Sequence, residues 1–172
     1  MTPRIHRVPF DSAVAQRMVE LVQLEYVRRY GGVDATPLSP ADFEPPRGAF
    51  FVCYLDEEPV ATGAWRSFGA DDAEMKRLFV TESARGRGLA RAMVAHLEAD
   101  AVANGRTRMI LESGSEQPEA LALYASLGYR PVEPFGVYAN QPGACHLGRT
   151  LIIPGADSGI ATADAVVSTD GG

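Results

Sequence analysis

Val80-Thr-Glu-Ser-Ala-Arg-Gly-Arg-Gly-Leu-Ala-Arg-Ala-Met-Val-Ala-His-Leu-Glu98 runs from the end of a strand-like stretch, through a turn broken by two glycines, into an amphipathic helix. Arg85, Gly86, Arg87, Gly88, Leu89 and Ala90 occupy the junction. No side chain there supplies a nucleophile, so any chemistry at the junction belongs to the backbone. Gly86 and Gly88 lack Cβ and allow both unusual φ and a close approach to a ligand. The first helical turn leaves N–H groups unpaired, and the helix dipole adds partial positive charge at that end. With the arginines, these features make an anion cradle of phosphate or pyrophosphate size. The alternative is a strand-to-helix turn whose glycines only relieve strain. A dinucleotide fingerprint does not fit, because no third glycine follows at the required offset. No Gly-Lys-Ser/Thr is present, which excludes a Walker loop.

The pattern extends outward from this turn. Ala73–Val80 reads as the strand entering it. Leu89, Ala90, Met93, Leu97 and Ala101 make one helical face, which Asn104-Gly105 ends. Arg108–Ser113 is a short strand, and strand, helix, strand implies a right-handed parallel crossover. Upstream, Ala49–Leu55 and Val60–Phe68 flank a turn at Asp56–Pro59, and Gly69–Asp72 turns into 73–80, giving an antiparallel meander. Arg4–Val8 alternates as a first strand, and Asp11 is placed to cap a helix over 12–30. The stripe of that helix is Val14, Met18, Leu21 and Val22, continued by Glu25 and Arg29. Gly31-Gly32 ends it, and residues 33–48 read as a long loop or short helix flanking the substrate side. Beyond the crossover, Pro118 opens a helix that Gly128 ends, with Ala120, Leu123, Tyr124 and Leu127 on one face. Two strands follow, near 130–134 and 145–152. Residues 1–153 thus read as one domain, and 154–172 as a loose tail.

Three of these segments carry a family resemblance. Arg85-x-x-Gly88-x-Ala90 resembles the Arg/Gln-x-x-Gly-x-Gly/Ala signature of the GNAT N-acetyltransferase superfamily. Ala73–Val80 resembles the strand before that loop, and Pro118–Tyr129 the later helix and its exit. The resemblance implies an α/β (α+β) fold with a mixed, mostly antiparallel twisted sheet of about seven strands flanked by helices. It implies acetyl-CoA as co-substrate, no metal, and transfer to a primary amine by direct attack in a ternary complex. Leu78, Phe79 and Val80 would pair through their backbone with the pantetheine arm, and one N–H would polarise the thioester carbonyl. Arg85–Ala90 would hold the pyrophosphate.

Tyr124 matches the position where many members place a tyrosine near the CoA sulfur, and would protonate the departing thiolate. Its alternative is a core aromatic. Glu74, four residues before Leu78, corresponds to the base of some related histone acetyltransferases. The alternative is a strand carboxylate paired with Lys76, Arg66 or Arg77. Glu112 is the alternate base or an acid that binds the acceptor. Glu25 and Arg29 either form a plain ion pair or stand at the rim of an acceptor pocket. Glu25, Glu74 and Glu112 favour a cationic amine, whereas Arg29 suits a carboxylate and so a zwitterionic acceptor. A small-molecule amine is the expected acceptor. Competing readings are a protein lysine or N-terminal acetyltransferase and a non-catalytic acyl-CoA sensor.

Composition sets outer limits. A net charge of −6 and pI near 5.1 argue against a nucleic-acid partner. No apolar run approaches bilayer length and the first residues do not read as a secretory leader, so no membrane partner and a cytoplasmic location are expected. Cys53 and Cys145 read as free thiols. Trp65 reads as core, and His96 as a surface or half-buried side chain rather than a base. The resemblance is compatible with a homodimer.

Overall fold

The computed structural model describes residues 2–151; the tail expected over 154–172 lies outside the described residues. In chain order the elements are β1 (Arg4–Arg7), α1 (Ala13–Tyr30), β2 (Gly48–Leu55), β3 (Glu58–Phe68), β4 (Asp72–Val80), α2 (Leu89–Ala103), β5 (Arg108–Gly114), α3 (Pro118–Ser126), β6 (Arg130–Pro131) and β7 (Ala144–Thr150). The strands form one seven-stranded sheet in the order β1-β2-β3-β4-β5-β7-β6. Among the described residues only β4 and β5 pair in parallel; the other neighbours are antiparallel. This is the expected mixed sheet, with α2 as its crossover.

Local chemistry accounts for most boundaries and for three departures from the sequence reading. Asp56 (φ 46°) and Glu57 (φ 68°) are both left-handed and form a two-residue hairpin turn whose twist matches that of the strands. β3 therefore begins at Glu58, and Pro59 lies inside it rather than in the turn. α1 is capped by Ser12, not Asp11: the Ser12 hydroxyl oxygen accepts from the Ala15 N–H at 3.4 Å. The buried face of α1 is Ala15, Met18, Val22 and Glu25, which leaves Leu21 36% exposed. Gly31, at φ 75°, ends the helix.

Each sheet face has its own core. α2 packs Met93, Leu97 and Ala101 with Trp65, Met109 and Leu111 on one face. Ala15 of α1 joins Phe43, Phe50, Val52 and Ala64 on the other. Trp65 is fully buried, and its indole N–H donates to Asp100 at 2.8 Å. His96 is exposed, edge-on to Phe51. Among the described residues, no helix is long and apolar enough to cross a membrane.

Two irregularities in β4 prepare the site. Its pairing with β5 stops after Asp72↔Arg108, Ala73↔Met109 and Glu74↔Ile110, and beyond Glu74 the edge of β4 that faces β5 has no strand partner. On the other edge, Thr62↔Phe79 is followed by Ala64↔Lys76, so Arg77 and Leu78 together oppose Gly63. This is a bulge, with Arg77 at φ 57°.

Candidate active site

The gap between β4 and β5 opens into a cavity of about 1100 Å³, at the upper end of the usual range for small-molecule sites. Leu78, Phe79 and Val80, on the part of β4 that has no β5 partner, form one wall. Such an edge offers N–H and C=O groups to an extended ligand, as an added strand would use them.

The glycine turn lies at one end. Gly86 (φ 78°) and Gly88 (φ 75°) are both left-handed, and Gly88 is the N-cap of α2 with no side-chain capping bond. A Cβ built on either would meet nothing within 4 Å, so packing does not demand glycine at these positions. What demands it is the backbone conformation, which leaves the first N–H groups of α2 facing open space. A pyrophosphate-bearing ligand such as acetyl-CoA fits this cradle and the free strand edge beside it. Gly86, Gly88, Leu89 and Ala90 line the cavity, but Arg87 does not; Arg91, which the sequence reading left out, does. Arg85 Nε donates to the Val80 carbonyl at 3.1 Å, and its guanidinium lies 3.6 Å from Glu25.

Glu25 and Arg29 sit together at the mouth. Arg29 donates to Glu25 at 2.8 Å, also pairs with Glu119, and donates to the Glu116 carbonyl at 2.8 Å. The Arg29 bond, aided by Arg28 and Arg85, holds the Glu25 carboxyl below its usual range despite burial. Both residues line the cavity, but their ion pairs tie α1 to α3 and to the turn at Arg85.

Tyr124, on the buried face of α3, lines the cavity and packs at 5.7 Å from the Tyr129 ring. Burial raises its phenol well above the ordinary range, and Tyr26 and Glu112 add to this. It therefore keeps its proton at neutral pH and can donate it.

The two carboxylates proposed as bases have separate fates. Glu74 is 4% exposed, accepts from Arg66 Nε at 3.2 Å, and is not among the residues that line the cavity. Its side chain is spent on an ion pair with β3 rather than aimed at the gap. Glu112 lines the cavity and, among the described residues, makes no hydrogen bond or ion pair. Burial raises its carboxyl above the usual carboxylate range; Lys76 opposes the rise, and Asp34 and Glu74 reinforce it.

Asp34 is a site residue that sequence reasoning missed. It belongs to the segment after α1 and accepts from Lys76 Nζ at 2.8 Å, from Arg77 through a very short contact, from the Tyr138 hydroxyl at 3.1 Å and from the Thr36 N–H at 2.9 Å. Burial favours its neutral form, but Lys76 and Arg77 outweigh that and hold its carboxyl far below the usual range. Tyr138 is tied down in turn, because its carbonyl lies 3.2 Å from His146 Nε2. These bonds tie residues 34–36 to β4 and to the loop before β7, and Asp34, Ala35 and Tyr138 line the cavity. Only the position of Asp34 within a polar, unpatterned segment could have marked it. Among the described residues, no three of His, Cys, Asp or Glu gather as metal ligands.

An open mixed sheet that parts between two parallel strands, with a glycine-turned helix start at the parting, defines the acyl-CoA N-acyltransferase class of fold. The chain belongs to the acetyltransferase (GNAT) family, whose model matches residues 15–129. It is 38% identical over 69 residues to an IAA acetyltransferase of Azospirillum brasilense; the match spans 40% of this chain and 45% of that relative's length. A GNAT-family acetyltransferase of Staphylococcus aureus superposes with TM-score 0.71 at 10% identity, over 88% of this chain and all of the other. A GNAT acetyltransferase of Elizabethkingia anophelis, solved with acetyl-CoA bound, superposes with TM-score 0.63 at 13% identity, over 86% and 97% of the two chains.

Proposed function

We propose that the protein is an acetyl-CoA-dependent N-acetyltransferase that acts on a primary amine of a small molecule, by direct attack in a ternary complex. The observation that carries this reading is Glu112: a half-buried carboxyl without a partner among the described residues, in the same cavity as Tyr124 and the glycine turn. When bound, acetyl-CoA supplies the activated acetyl group. Gly86–Ala90 would hold its diphosphate, and Leu78, Phe79 and Val80 its extended arm. A backbone N–H on that strand edge would stabilise charge on the carbonyl oxygen. Glu112 takes the proton of the incoming ammonium, directly or through water, and its raised pKa suits that role. Tyr124 gives its proton to the departing sulfur. Holding both reactants in one enclosed gap adds the gain from proximity.

The bonds that tie Asp34 to Lys76 and Tyr138 hold two segments together at the cavity wall, which supports a small molecule over a protein lysine or N-terminus. Every group invoked comes from one chain, so no dimer is required. The free thiols Cys53 and Cys145 suit the cytoplasm.

Thiol release from acetyl-CoA, followed with DTNB across a panel of amines, tests the reading. Amine-dependent release is expected; tight CoA binding with no release for any amine would favour a non-catalytic sensor. Tyr124→Phe is expected to lower turnover by roughly 100-fold, with acetyl-CoA affinity by calorimetry little changed. Unchanged turnover would remove Tyr124 from proton transfer.

A further inference from the structure

One wall of the cavity holds two cations, Lys76 and Arg77, on one fully engaged carboxylate, Asp34. Lys76 and Arg77 are consecutive in β4, and consecutive side chains of a regular strand point to opposite faces. The bulge at Arg77 breaks that alternation, and both side chains end on the same Asp34 oxygen, Oδ2. The other oxygen, Oδ1, accepts from Tyr138 and Thr36, so Asp34 has little capacity left. Both cations are poorly solvated, with side chains 11% and 4% exposed. Nε of Arg77 is buried with no hydrogen-bond partner among the described residues. Glu112 lines the same cavity and feels the charge of Lys76, but bonds to neither cation. A buried cation is ordinarily matched by a hydrogen-bonded anion, and here Asp34 alone serves two cations, while Glu112 offsets the second charge only at a distance.

We propose that the acceptor supplies the missing anion: it is an amino-acid-like zwitterion whose carboxylate is taken by Lys76, with Arg77 behind it, and whose amine faces Glu112. This deepens the transferase reading above and rests on it for the role of Glu112. It also moves the carboxylate site away from Arg29, whose guanidinium is already occupied by Glu25, Glu119 and the Glu116 carbonyl.

Matched pairs of amino acids and their primary amides test it, because only the acid carries the anion; the amide's less basic amine is matched by comparing each pair at a pH where both amines are protonated. In the wild-type protein, kcat/KM is expected to favour the acid over its amide by roughly 10-fold or more. In Lys76→Met that ratio is expected to fall toward one. An amide used as well as its acid by the wild type would overturn the anion site and leave acetyl transfer standing. A ratio that survives in Lys76→Met would remove Lys76 and overturn the proposal as stated. If no amine of either series is acetylated, the wider amine panel decides the transferase reading on its own, and binding still decides the anion site. Calorimetric titration into CoA-saturated wild-type protein must then rank acid tighter than amide by a similar factor; equal or absent binding overturns the proposal.

Discussion

Glu112→Gln is expected to lower kcat/KM for the amine acceptor by roughly 100- to 10,000-fold, the usual worth of a positioned base. Glutamine keeps the shape of the side chain and removes only its capacity to take a proton. The pH profile separates this loss from general damage. Burial raises the Glu112 carboxyl, with Asp34 and Glu74 adding and Lys76 opposing. The wild-type rate should therefore climb with pH through a limb lying above the ordinary carboxylate range, and the variant should lose that limb. Stability should move the other way. A carboxyl whose folded pKa is raised binds its proton more tightly when folded, so it contributes stability below the unfolded pKa. That contribution is lost as pH rises through the folded pKa. At neutral pH the uncharged glutamine escapes this loss, and the melting temperature of Glu112→Gln should equal or exceed that of the wild type. Equal kcat/KM in the two proteins would remove Glu112 as the base.

Asp34→Ala is expected to cost about 3–5 kcal/mol at neutral pH, the scale for breaking a buried ion pair by removing one partner. The loss is large because Lys76 and Arg77 stay buried while their shared acceptor disappears. The Tyr138 hydroxyl loses its acceptor too. Although burial opposes it, Lys76 and Arg77 hold the folded pKa of Asp34 far below its unfolded value. The stabilisation is thus fully present above the unfolded pKa of about 3.9 and is lost as pH falls below it. The gap between wild type and variant in urea unfolding should stay constant through neutral pH and shrink only under acid conditions. A cost under about 1 kcal/mol at neutral pH would mean that the cations find other partners.

The features legible in the sequence were the local ones. The β2–β3–β4 meander and the β4–α2–β5 crossover follow from apolar periodicity and from turn residues such as Asn104-Gly105, which act over a few neighbours. The glycine turn was legible because positive φ at Gly86 and Gly88 is what glycine permits. Non-local features were hidden. Asp34 meets Lys76, Arg77 and Tyr138 from 42, 43 and 104 residues away, and nothing near Asp34 signals any of them. The bulge was equally silent, because its left-handed residue is an arginine rather than a glycine. From the sequence, Glu74 stands first as the base and Glu112 second, as the alternate base or an acceptor-binding acid. What separates them is Arg66, which reaches Glu74 across the β3–β4 pair and leaves Glu112 alone in the gap. Two short-range errors had the same origin: Ser12 rather than Asp11 caps α1, and Pro59 lies in β3, because one residue of register decides each.

Hydrogen exchange of the full chain with and without saturating acetyl-CoA addresses the cradle and the parted strands together. The expected result is slowed exchange at amides within Leu78–Val80 and Gly86–Ala90, with far smaller changes along β1 and β2. Slowed exchange confined to other segments, or none despite measurable binding, would contradict the placement of the diphosphate at the glycine turn and of the thioester between β4 and β5.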